Sequence, residues 1–228
     1  MKHLLTVAIA LLAGFAGAAI WSLTGVGNSL TRDYLIKNPD ILPEMARAYQ
    51  AQEAQNRLAT VGDEVRRPFQ GAVLGNPNGS RTLVKFTDYA CGYCRASVAD
   101  VDRLISEDPE LRVVIREWPI FEGSEAAARM GLAAAQQGKF EAFYHAMFAS
   151  GPPSAESIAA AAETAGLDME AARAFGSSDE VTAELARNEA FARQLGFTGT
   201  PSWIAGDAAF EGAVGFAELE AAINNEAS

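Results

Sequence analysis

The chain contains two cysteines in 228 residues, and they form a single C-x-x-C, Cys91-Gly92-Tyr93-Cys94. A β-rich run, Thr82-Leu83-Val84-Lys85-Phe86-Thr87, leads into them. After them Val98, Val101, Leu104 and Ile105 recur at helical spacing until Asp108-Pro109 stops the pattern. A strand feeding a helix here puts Cys91 at the helix start, where free N–H groups and the positive end of the dipole favour a thiolate. Cys94, one turn along, can reach back and resolve a mixed disulfide. Cys91 is then the exposed nucleophile and Cys94 the more buried resolving thiol, the Gly92-Tyr93 dipeptide tunes both, and no cofactor is expected beyond the redox-active disulfide Cys91–Cys94.

Other uses of the pair compete with this reading. A structural disulfide would close a four-residue loop, which chain entropy values at only about 2 kcal/mol. A metal site would need further ligands, and the histidines are confined to His3 and His145. Two thiolates alone suit copper(I), so a copper(I)-binding protein is the alternative from a different class. Chance placement of the two cysteines is the remaining reading.

The formal net charge of −11 argues against a nucleic-acid partner, which would require clustered basic surface. That charge is unevenly spread. Residues 28–67 carry six basic and six acidic side chains, whereas the chain after residue 67 has 11 basic and 23 acidic ones. The segment and the remainder read as separate units. Ahead of both, Met1-Lys2-His3 and the uncharged run Leu4 to Ile20, with Ala16-Gly17-Ala18 as an A-x-A site, read as an export signal over residues 1–23. The competing reading is a retained anchor, with Trp21 at the interface. Either places the folded part outside the cytoplasm, where disulfides persist.

From Asp33 to about Val61 the sequence predicts helix, with starts marked at Asn38-Pro39 and Asp40. Its stripe, Leu42, Met45, Tyr49, Gln52, Asn56 and Ala59, is half polar or small, which speaks against a strong coiled coil. Arg66-Arg67-Pro68 marks a boundary. Strands are predicted at Gly71 to Leu74, Thr82 to Thr87, Leu111 to Trp118, Phe197 to Ile204 and Ala209 to Glu211. An Ala-rich helical block covers about 122–195, broken at Gly138, Gly151, Gly166 and Gly176, and Gly215 to Asn224 is a final helix. The fold class is α/β: a mixed sheet with an inserted helical domain, preceded by a helical stalk. Phe140, Phe143, Tyr144, Met147 and Phe148 read as a core face, with His145 a packed or surface histidine. Trp118 and Trp203 read as core aromatics.

Val84-Lys85-Phe86-Thr87-Asp88-Tyr89-Ala90-Cys91-Gly92-Tyr93-Cys94 resembles the active-site strand and helix of the bacterial DsbA-type thioredoxin-fold oxidoreductases. Phe197-Thr198-Gly199-Thr200-Pro201-Ser202-Trp203-Ile204 resembles that family's second signature, a cis-proline loop. The resemblance covers residues 68–228 and implies a thioredoxin-like fold in which Thr200 and Pro201 sit beside the cysteines and pair with substrate peptide. Asp33 to Tyr49 further resembles the N-terminal element of ScsC-like proteins, some of which oligomerise through it and act as disulfide isomerases. The implied partners are proteins with cysteines, a membrane redox partner of the DsbD or DsbB type, and other copies of the chain bound through the 28–67 stalk. The implied location is periplasmic, or anchored to the inner membrane if the signal is retained. Lys85 departs from the pattern, since related enzymes carry a carboxylate six residues before the first cysteine. Two readings of Lys85 stand open: a snorkelling surface lysine, or a cation under the site that favours the Cys91 thiolate.

Overall fold

A computed structural model describes residues 26–225, together with Gly14, Phe15, Gly17 and Trp21. The leader expected over residues 1–23 otherwise lies outside the described residues. No helix among the described residues is long and apolar enough to cross a membrane. The chain divides into two compact units, residues 1–50 and 51–228.

In the first unit, α1 (Val26–Lys37) is followed by the opening turns of α2 (Ile41–Val61). The helix starts expected at Asn38-Pro39 and Asp40 coincide with the break between α1 and α2, where Asn38, the residue before a proline, is pushed out of the α region. Asn38 Nδ2 closes the end of α1 by donating to Tyr34 O at 2.8 Å. Pro43 sits in the first turn of α2, where a missing N–H is tolerated. Leu30, Tyr34, Ile36, Leu42, Met45 and Tyr49 are all exposed.

The second unit is built on a five-stranded sheet of order β1-β3-β2-β4-β5. Its strands are β1 (Val73–Gly75), β2 (Arg81–Thr87), β3 (Leu111–Glu117), β4 (Ser202–Ala205) and β5 (Ala208–Glu211). β2 pairs parallel with β3, and the other pairs are antiparallel. Between β2 and β3 lie α3 (Gly92–Ala96) and α4 (Val98–Glu107). The insertion contains α5 (Glu125–Gln136), α6 (Phe140–Ala149), α7 (Ala155–Thr164), α8 (Met169–Gly176) and α9 (Asp179–Leu195), and α10 (Phe216–Asn225) closes the unit. Within the insertion α7, α8 and α9 start where short polar side chains cap them: Ser154, Asp168 and Ser178 each accept from backbone N–H groups of the next turn.

Strand alternation splits the core in two. Leu83, Val113, Ile115, Trp203 and Ala205 pack with Leu104, Leu132, Phe143 and Met147 on one face. Val84, Phe86, Val114 and Ile204 pack with Trp118, Phe191 and Leu195 on the other. That second cluster also takes in Leu58 and Val61 of α2 and Val65 of the 3-10 turn Gly62–Arg66. The contacts therefore part at 50/51, not at the 67/68 boundary expected from the Arg-Arg-Pro triplet. Buried Arg116 fixes the junction: its guanidinium donates to Glu184 Oε1 (2.7 Å), Asn188 Oδ1 (3.2 Å), Glu64 O (2.7 Å) and Val65 O (3.2 Å). The strand expected from Phe197 begins only at Ser202, and residues 197–201 form a loop.

A chain starting at Ala51 should match the whole protein in urea unfolding within about 0.5 kcal/mol. One starting at Pro68 uncovers Val84, Phe86 and Val114 and should lose about 3 kcal/mol or more, the scale of several deleted core side chains. Equal midpoints for the two would show that the 51–67 segment adds nothing to the core.

Candidate active site

β2 ends at Thr87, and the turn to Cys91 is held by one buried carboxylate. Asp88 Oδ1 accepts from Ala90 N (2.7 Å), and Oδ2 accepts from Ile120 N (2.7 Å), Phe121 N (2.9 Å) and Ser124 Oγ (2.8 Å). Cys91 N donates to Asp88 O at 3.1 Å. Cys91 is thereby the N-cap of α3, with extended backbone, and its sulfur accepts from Cys94 N at 3.4 Å. The helix predicted to run from Cys91 to Ser106 breaks at Ser97, whose hydroxyl donates to Cys94 O at 2.8 Å.

The loop more than a hundred residues downstream closes over the sulfurs. The Thr200–Pro201 bond is cis. Cys91 Sγ lies 3.1 Å from Thr200 O and donates to it when protonated. This contact corrects the expectation of an exposed Cys91, which is only 3% accessible beneath the loop, against 0% for Cys94. Both are free thiols, and Tyr93 beside them is exposed.

Electrostatics separate the two sulfurs. The hydrogen bond from the Cys94 thiol, with help from the Cys94 backbone N–H, lowers the Cys91 pKa to about 5 against the opposing effect of burial. Cys94 moves the other way, pushed up by burial and then by its bond to Cys91.

Lys85 is fully buried, so the surface-lysine reading is wrong. Its alternation with Val84 and Phe86 turns it to the face that carries the helical insertion. Nζ lies 2.7 Å from Tyr144 Oη and 3.4 Å from Cys94 O. It also stands 5.3 Å and 5.6 Å from the ring centroids of Trp203 and Phe148, within cation–π range. Burial lowers its pKa to about 8, although both cysteines act to raise it.

Sequence reasoning passed over two residues here. Tyr144 was read only as core face, yet its hydroxyl meets Lys85. Glu117 was read only as strand, yet it is fully buried and accepts from Tyr89 Oη at 2.8 Å. Burial pushes the Glu117 carboxyl well above the usual range. Its Oε2, and Thr87 Oγ1 on the residue in register with it across β2–β3, have no hydrogen-bond partner among the described residues. The available signal was a carboxylate at an inward position, two residues on from Ile115 and four from Val113. Gly131 of α5 accommodates the pair, since a Cβ there would stand 2.9 Å from Glu117 Oε1 and 3.0 Å from Tyr89 Oη. His145 is a surface residue, 2.9 Å from Asp102 Oδ1. Trp118 and Trp203 are in the core. Among the described residues no group of three or more His, Cys, Asp or Glu could hold a metal ion.

Residues 82–224 match the model of the DSBA-like thioredoxin domain, and residues 29–56 match the copper resistance protein ScsC N-terminal domain. A thioredoxin-like oxidoreductase from Silicibacter pomeroyi DSS-3 is 43% identical, with a TM-score of 0.68 over 72% of this chain and 95% of its own. The thiol-disulfide exchange protein α-DsbA2 from Wolbachia pipientis is 26% identical, with a TM-score of 0.71 over 78% of this chain and 97% of its own. A linker-deletion mutant of Proteus mirabilis ScsC is 25% identical, with a TM-score of 0.69 over 88% and 92%. No curated protein matches the sequence. With the family model spanning well over half its length, the chain belongs to the DsbA-like thioredoxin domain family and is a thiol–disulfide oxidoreductase of the DsbA and ScsC type.

Proposed function

We propose that this oxidoreductase is exported and exchanges disulfides with cysteine-bearing polypeptides in the periplasm, working chiefly as an isomerase or reductase. The observation that carries the chemistry is the placement of Cys91 at the N-cap of α3, its sulfur accepting from Cys94 N beside the cis Thr200–Pro201 bond, which favours a thiolate at Cys91 while burial keeps Cys94 protonated. The Cys91 thiolate attacks a substrate disulfide, and Cys94 resolves the mixed disulfide that forms. The cis-proline loop offers the Thr200–Pro201 backbone to an extended substrate, in the manner of strand addition. The Lys85 ammonium beneath the sulfurs adds positive charge that favours the thiolate.

The direction of exchange rests on the N-terminal unit. Its match to the ScsC N-terminal domain and its exposed Ile36, Leu42, Met45 and Tyr49 support self-association. Several Cys91 sites would then surround one misfolded substrate at high effective concentration. A membrane partner of the DsbD type would keep the pair reduced. A leader over residues 1–23 fits this location, as does a periplasmic thioredoxin-like protein from Salmonella enterica serovar Typhimurium that is 27% identical to this chain.

Cys94→Ala should trap mixed disulfides with substrates and Cys91→Ala should trap none, read on non-reducing gels; equal trapping would sink the assignment of roles. Light scattering should give an oligomer for the mature chain and a monomer for one starting at Ala51. If both are monomers, the oxidase direction becomes the better reading.

The pH dependence has a definite sign. Ultraviolet absorbance of the thiolate should titrate near pH 5, well below the ordinary cysteine value. A depressed folded pKa adds stability to the reduced form that is complete above the unfolded value and lost as pH falls through 5. Reduced protein should therefore gain stability over oxidised protein as pH rises from 5 toward 9. A thiolate of this acidity lies between those of thioredoxin and DsbA, so a glutathione equilibrium should give roughly −230 to −130 mV. A value near thioredoxin's would contradict the acidity of Cys91.

A further inference from the structure

If Cys94 is the resolving thiol, as the reading above holds, its proton needs an acceptor. Burial keeps Cys94 protonated and the residue has no exposed surface, yet it must ionise before it can attack the disulfide at Cys91. The nearby carboxyls are ill placed for the task. Asp88 is committed to four donors, and Glu117 binds Tyr89 with its carboxyl held toward the neutral acid. Lys85 Nζ does reach Cys94, at 3.4 Å from its carbonyl, and Tyr144 Oη fixes it at 2.7 Å. Among the described residues Lys85 makes no ion pair with a carboxylate, so no carboxylate in contact pins its charge.

We propose that the Lys85 amine accepts the proton of Cys94 during resolution, held in line by the Tyr144 hydroxyl.

In the mixed disulfide the neutral amine takes the proton from Cys94 Sγ. The thiolate attacks Cys91 Sγ and forms the Cys91–Cys94 bond. The bond from Cys91 to the substrate sulfur breaks, and its electron pair leaves on that sulfur, which takes a proton from solvent. Two enzyme thiols are oxidised and one substrate disulfide is reduced. Lys85 ends as an ammonium, which returns its proton to Cys94 when the step runs backward.

Redox state arms this base. The groups that face Lys85 are Cys91 and Cys94 at α3, Glu117 of β3, Asp102 of α4 and Tyr144 of α6. Burial lowers the ammonium's pKa to about 8 while the two cysteines raise it. Once Cys91 is in a mixed disulfide its charge is gone, burial acts with less opposition, and the amine loses its proton more readily. Lys85 is thus a cation beside the reduced pair and a base when resolution requires one.

The test uses the full chain, reduced, mixed with excess oxidised glutathione and acid-quenched from pH 5 to 9. The bimolecular attack by Cys91 separates from the unimolecular release of the second glutathione by its concentration dependence. Wild-type release should rise with pH and level off at or below about pH 8, following the amine. In Lys85→Met attack should persist, while release at pH 7 falls about 10²-fold, the usual scale of general-base assistance. The variant's release should also climb with hydroxide to pH 9 without a plateau. Tyr144→Phe should keep the plateau and slow release a few-fold. Wild-type rate and profile in Lys85→Met overturn the proposal, and should that variant not fold, unchanged release in Tyr144→Phe overturns it instead. Undiminished release from Cys94→Ala is a separate outcome: it refutes Cys94 as the resolving thiol and with it the reading beneath.

Discussion

The site depends on β2 lying in the middle of the sheet. With β3 on one side and β4 on the other, β2 is buried on both faces apart from its first residue, and its alternation assigns each side chain without ambiguity. Val84 and Phe86 take one face, and Leu83, Lys85 and Thr87 take the other. β2 also delivers Cys91 to the start of α3, so the strand that carries Lys85 sets both the height and the angle of the thiol. A one-residue slip in register would exchange Lys85 for Val84 beneath the cysteines and put a charge among Trp118, Phe191 and Leu195.

Burying an ammonium is costly, and the fold offsets that cost without placing a carboxylate in contact with it. The rings of Phe148 and Trp203, the Tyr144 hydroxyl and the Cys94 carbonyl surround Lys85 Nζ. Each interaction is modest, and together they leave the charged form less favoured than in water, in keeping with a pKa of about 8. A carboxylate in contact would have locked the proton in place. Arg116, on the opposite face, shows that alternative: Glu184 and the backbone carbonyls of residues 64 and 65 hold it as a fixed cation with a structural task.

Much of this was legible in the sequence, and what was missed follows a pattern. The C-x-x-C, the strand before it and the Thr200-Pro201 loop are local signatures, so their chemistry could be named from short stretches of residues. The broken insertion was legible too, because glycine and short polar caps punctuate helices locally. What failed depended on contacts distant in the chain. The sequence leaves Lys85 open between a surface lysine and a cation under the site, and Tyr144, 59 residues away, lies on it and decides between them. Tyr144 reads as one more aromatic on a core stripe, because helical periodicity reports burial and not the partner of a hydroxyl. The boundary at Pro68 rested on a charge and proline signal, whereas the real division is set by Leu58, Val61 and Val65 filling the sheet's second face. Cys91 was expected in the open because its helix position is exposed in isolation, and only the distant loop covers it.

The two sulfurs are chemically equal in the unfolded chain and become unequal through position alone. Cys91 receives hydrogen bonds from the Cys94 thiol and backbone, while Cys94 is placed where water cannot reach it. Stabilising the Cys91 thiolate lowers the free energy of the dithiol form and leaves the disulfide form untouched, so the same bonds that make Cys91 reactive also make the pair oxidising. Raising Cys94 has the opposite kinetic consequence, since a thiol that stays protonated resolves slowly unless something nearby takes its proton. Strong asymmetry between the sulfurs therefore requires a buried base, and a fold that places a lysine where its relatives carry a carboxylate must draw that base from the amine or from another strand. In this chain the amine is the group in contact with Cys94, and Glu117 on the neighbouring strand is engaged with Tyr89.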